Sequence, residues 1–169
     1  GSAADAGSSP PVSIERKRSP VAERDVLKLL LEHPAEMIEF IFSHITIADI
    51  TDPQVRKIIE FLLSRFDERG PSQVTELVGE MTDPALKSIV TDIVMSKYEL
   101  SKRWESNEGE IEVADFRMVA RDAIVAMKRK ILQNQVEQNQ RALKDASARG
   151  LDAQPFVHRH QHLMKQIQD

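Results

Sequence analysis

Val113–Arg149 reads V-A-D-F-R-M-V-A-R-D-A-I-V-A-M-K-R-K-I-L-Q-N-Q-V-E-Q-N-Q-R-A-L-K-D-A-S-A-R, with neither Gly nor Pro until Gly150. The stretch predicts one helix of about 55 Å at 1.5 Å per residue, with Gly150 where a C-terminal cap belongs. Phe116, Val119, Ala120, Ala123, Ile124, Met127 and Ile131 recur at intervals of three and four, a broad apolar stripe. Beyond Leu132 the stripe thins to Val136 and Leu143 among Gln, Asn, Lys and Arg. The first half is therefore expected inside a core, and the second half is expected to leave it.

Downstream, Arg149-Gly150-Leu151 is expected to turn the chain, and Ala153–Gln168 to form a short terminal helix. Its apolar stripe is Phe156, His160, Leu163 and Ile167, with Met164 alongside; Leu132, Val136 and Leu143 oppose it. So few apolar side chains make a poor core for a hairpin of this length. Such an element either folds back onto the body or finishes its packing on a partner. The polar residues of the outgoing helix favour the partner.

Upstream, residues 1–20 are rich in Ser, Ala, Gly and Pro and are read as a linker, with Gly1-Ser2 as a tag remnant. Helix one is expected over 20–32, with Leu27, Leu30 and Leu31 inward, and helix two over 34–44, opened by Pro34. Ile45–Ile50 is read as a short extended stretch. Asp52-Pro53 starts helix three, in which Val55, Ile58, Ile59, Leu62, Leu63 and Phe66 face inward. Ser72 is expected to cap a short helix four, and Asp83-Pro84 to start a fifth running to about Trp104, with Tyr98 and Trp104 closing that end of the core. Period-two alternation and fixed-period repeats are both absent. The fold class is all-α: a compact helical bundle with a long helix projecting into a C-terminal helical hairpin. The organisation is a linker over 1–20, a helical body over 21–131 and the hairpin over 132–169.

The chain has 169 residues, 41% hydrophobic but only 5% aromatic, which suits one helical domain with an aliphatic core. Its net charge of −4 is unevenly spread. From Lys128 to Lys165 eight Lys/Arg stand against three acids, a net +5, so the remainder carries −9. The bland account of this basic tail is a solvated helical face. Cysteine is absent, which excludes disulfides and thiolate metal sites and permits an intracellular origin. No apolar run approaches the ~20 residues of a membrane span.

His158, His160 and His162 alternate, and His158 and His162 share a helical face at i, i+4. With no third ligand nearby they are read as surface or interfacial residues, not as a metal site. The carboxylate pairs Glu110/Glu112 and Glu36/Glu39 stand beside no nucleophile and are read as solvated charge. A glycine-rich phosphate loop, a Ser-His-Asp order and a cysteine nucleophile are all missing. Only Phe156 lies near the basic tail, too few aromatics for a base-stacking platform. Neither catalysis nor a cofactor is expected of this chain.

A helical body, one long helix leaving it, a glycine turn and a short terminal helix together resemble the C-terminal helicase-interacting domain of bacterial DnaG-type primases. The phrase A-E-R-D-V-L-K-L-L-L-E-H-P-A (22–35) resembles the start of that domain, and A-R-G-L-D (148–152) the turn of its terminal hairpin. The likeness covers residues 22–168 in architecture and scattered phrases. It implies a non-catalytic fragment of a DNA primase that binds the N-terminal domain of the hexameric DnaB-type replicative helicase, as a monomer, at the replication fork in the bacterial cytoplasm. The parent would be a DNA-directed RNA polymerase with its zinc-binding and polymerase domains upstream. The matching hairpin positions are Leu151, Phe156, His160, Leu163, Met164 and Ile167, with Arg159 and Lys165 on the rim. The H-R-H-Q-H run with Pro155 departs from the family's pattern.

Two readings from other classes compete. One is a nucleic-acid-binding helical domain using the basic hairpin, whose affinity would fall steeply with salt. The other is an oligomerisation domain in which hairpins pair between copies. The N-terminal domain of the helicase itself, related in fold, is a neighbouring possibility. In every reading no membrane contact is expected.

Overall fold

Two Asp-Pro pairs punctuate the body, because an aspartate can accept the free amides of a first turn while proline supplies a preset φ. In a computed structural model, which describes residues 19–96 and 113–168, both pairs start helices. Asp52 accepts from the amides of Gln54 at 2.8 Å and Val55 at 3.1 Å. Asp83 accepts from the amide of Ala85 at 2.8 Å. The elements in order are α1 (Val21–Glu32), α2 (Pro34–Phe42), a 3-10 turn (Ile47–Asp49), α3 (Pro53–Arg69), α4 (Val74–Glu80), α5 (Pro84–Met95), α6 (Val113–Ala148) and α7 (Gln154–Gln168). The described residues contain no strand, and the fold is all-α.

Three local expectations are corrected. Ile45–Ile50 is not extended: Thr46 and Asp49 cap each other reciprocally and hold a 3-10 turn between them. Ser72 does not cap α4, whose first residue follows Gln73 with no side-chain cap. The fifth helix ends at Met95, where Ser96 turns extended (ψ 158°). The expected continuation to Trp104, with Tyr98 and Trp104, lies outside the described residues, as does the linker up to residue 18.

At the centre is α1, packed against α2, α3, α5 and α6. Val26, Leu27, Leu29, Leu30 and Leu31 are all buried. A run apolar on every side can be stable only when surrounded. Three charged residues go in with it: Glu23, Asp25 and Lys28 are each no more than 6% exposed. The Glu23 carboxylate accepts from the Thr51 amide (2.7 Å), the Thr51 hydroxyl (2.6 Å) and the Asp52 amide (3.0 Å), tying α1 to the start of α3. Lys28 donates to Glu32 and to the Val94 carbonyl at 2.9 Å, tying α1 to α5. These bonds replace the water that Glu23 and Lys28 lose on burial.

The long helix changes its buried side along its length. Val119, Ala120, Ala123, Ile124 and Met127 join the main core with α1. Near its start Phe116 stacks on His33, at the α1–α2 elbow, with ring centroids 3.9 Å apart. Val136 lies nine residues beyond Met127, about two and a half turns, and so points to the opposite side. Leu132, Val136 and Leu143 are half-buried on that side, with Asn139 and Ala146 fully buried. There α6 packs against α7.

Candidate docking hairpin

The turn between α6 and α7 is built from backbone geometry. Gly150 has φ +68°, the left-handed region that glycine enters at little cost. The Leu151 amide donates to the Ala146 carbonyl (2.9 Å) and the Gly150 amide to that of Ser147 (3.2 Å). This paired pattern satisfies the last carbonyls of a helix and reverses the chain. Asp152 then accepts from the Gln154 amide at 3.0 Å. Pro155 sits in the first turn of α7, where its missing amide hydrogen leaves no bond unmade.

The seam between the two helices has a small apolar content. Leu163 is buried, and Phe156, Val157, His160 and Ile167 are half-buried. Ala146 and Leu163 are buried apart from the main core cluster, so the hairpin has a small core of its own. One polar bond crosses it: the Asn139 side-chain amide donates to the Phe156 carbonyl at 2.8 Å. The Asn139 side-chain oxygen and His160 Nδ1 are buried with no partner in the chain.

The eight positions singled out in the hairpin thus fall into two sets. Phe156, His160, Leu163 and Ile167, spaced at four, three and four, turn inward and fill the seam with α6. Leu151 (60% exposed), Met164 (39% exposed), Arg159 and Lys165 face solvent. Val157, Asn139 and Ala146 were not anticipated as seam residues. Asparagine at a buried position carries no signal in a helical pattern until the opposing carbonyl is placed.

His158 and His162 are both exposed. Among the described residues no three His, Cys, Asp or Glu side chains converge as a metal site would require. A shallow niche between α3 and α4, lined by Leu62, Arg65, Phe66 and Leu77, gathers no set of titratable groups. No helix among the described residues is long and apolar enough to cross a membrane. An all-helical domain with a protruding hairpin is the class that these features define.

The chain belongs to the DUF8430 family, a domain of unknown function, whose family model matches residues 13–169. No curated protein and no solved structure matches it.

Proposed function

We propose that this chain is a non-catalytic docking module, the C-terminal helicase-interacting part of a bacterial DnaG-type primase. It recruits the N-terminal domain of a hexameric DnaB-type replicative helicase and couples priming to unwinding in the cytoplasm. The observation that carries this reading is the division of the hairpin residues. The body has a complete core around α1, whereas the hairpin keeps Leu151 and Met164 in solvent beside the cations Arg159 and Lys165. Exposed apolar side chains with a charged rim are what a docking helix presents to a groove. The inward set keeps the hairpin in shape, and the outward set makes the contact.

The test is a titration of the chain against the helicase N-terminal domain, using Leu151→Asp/Met164→Asp beside the unaltered protein and a chain ending at Arg149. The expected result is binding by the intact chain, loss in both variants, and a body that stays folded by circular dichroism. Failure of the intact chain to bind, or undiminished binding by the double variant, overturns the reading.

A further inference from the structure

The side of α6 that α7 covers continues beyond α7 toward the body. Met118, Val125 and Leu132 follow one another at intervals of seven, and Val136 lies eighteen residues, about five whole turns, from Met118. All four therefore share one face. Antiparallel to α6 from the Gly150 turn, α7 has fifteen residues and so runs about 22 Å, reaching the neighbourhood of Leu132. Past that point the stripe is bare: Met118 is 40% and Val125 46% exposed. The same segment is strongly basic. From Arg117 to Lys130 five Lys/Arg stand against Asp122 alone, and all six are exposed.

We propose that this bare face of α6 is a second docking surface, and that its occupant is an acidic amphipathic helix of a partner protein. The occupant lies roughly in line with α7 and carries apolar residues at i, i+3 or i+4 and i+7. Continuity with the α6–α7 seam fixes the shape, because a helix already packs on the adjoining part of the same stripe. Charge fixes the partner. Arg121 and Lys128 flank Val125 on one side and Arg129 on the other, so carboxylates bordering the apolar stripe of the incoming helix would be paired. A second copy is disfavoured by like charge, since two such faces set together oppose cation to cation. The helix α7, with Arg159 and Lys165, is no better matched. This inference does not depend on the helicase reading, which concerns the other end of α6.

The probe is a fluorescein-labelled helical peptide about five turns long, with a leucine stripe flanked by glutamates. Companion peptides carry lysine for each glutamate, or serine for each leucine. The full chain is titrated in each case. Tight binding of the glutamate–leucine peptide alone is expected. Met118→Ser/Val125→Ser and, separately, Arg121→Glu/Lys128→Glu should each weaken it about ten-fold or more. Leu151→Ser/Met164→Ser should leave it unchanged. Met118, Val125, Leu151 and Met164 are all exposed, so circular dichroism and Tm of these variants should match the unaltered protein. No binding, or binding indifferent to Met118→Ser/Val125→Ser, overturns the proposal. So does a concentration-dependent dimer dissolved by Val125→Glu, which would make the face a contact between copies. Preference for single-stranded DNA, lost with Arg121→Glu/Lys128→Glu but not with the serine variants, overturns it as well.

Discussion

Asn139 and Phe156 are joined across the hairpin by a 2.8 Å bond from the asparagine amide to the phenylalanine carbonyl, with Asn139 only 4% exposed. A polar bond at one position in an apolar seam fixes register, because sliding either helix by a residue breaks it. Asn139→Ala should loosen α7 by about 1 kcal/mol, the usual net worth of such a bond. Hydrogen exchange should quicken over 154–168 while α1 keeps its protection. Equal exchange in both proteins would mean that the bond contributes nothing to the seam.

Gly150 and Gly79 should respond oppositely to alanine. A Cβ at either position meets no atom within 4 Å, so sterics do not separate them. Conformation does: Gly150 has φ +68°, whereas Gly79 lies within α4. Gly150→Ala should destabilise the hairpin by about 1 kcal/mol, with Gly150→Asn costing less because asparagine tolerates the left-handed region. Gly79→Ala should stabilise the body by up to about 1 kcal/mol. Urea titrations of the three variants decide the matter, and a stabilising Gly150→Ala would contradict the turn geometry.

Glu23 should prove costly to remove although glutamate is ordinarily a surface residue. Its carboxylate holds both donors of Thr51 and the Asp52 amide. Glu23→Ala removes the shared acceptor of three part-buried hydrogen bonds and should lose about 1–3 kcal/mol. Glu23→Gln keeps an acceptor and should lose less. A loss under 0.5 kcal/mol for the alanine variant, about that of an ordinary surface change, would count against the tie between α1 and α3.

Leu30 and Leu163 are both buried leucines, yet they belong to different packing units. Each change to alanine removes about 2–5 kcal/mol from the unit around it. Leu30→Ala should lower the unfolding midpoint of the whole body. Leu163→Ala should free α7 and leave the body's midpoint nearly unchanged, with proteolysis newly concentrated at 150–168. A single shared midpoint falling equally in both would show one cooperative unit.

Much of this architecture was legible in residue spacing. The two Asp-Pro helix starts, the all-helical class, the unbroken α6 and the Gly150 turn depend on neighbours within about one turn, and local sequence reports such things directly. Neither the Ser72 cap nor an extended Ile45–Ile50 forms, for a related reason. A serine or an Ile-Thr-Ile run is compatible with several local forms, and here the reciprocal bonds of Thr46 and Asp49 decided between them. In the hairpin the stripe at 156, 160, 163 and 167 was visible, but the stripe does not say which of its neighbours stay in solvent. That division needs α6 in place.

The sequence by itself determined the two Asp-Pro helix starts, the Gly150 stop and the thin apolar content of the far half of α6, because those properties follow from capping chemistry and from 3.6-residue periodicity. Only the tertiary structure decided that α1 is surrounded, that Glu23, Asp25 and Lys28 go inside with it, and that α6 buries opposite faces in its two halves. A charge can be buried only where a partner arrives. For Glu23 the partner is 28 residues away, and Lys28, besides Glu32 one turn on, reaches a carbonyl 66 residues away, separations that no local pattern encodes.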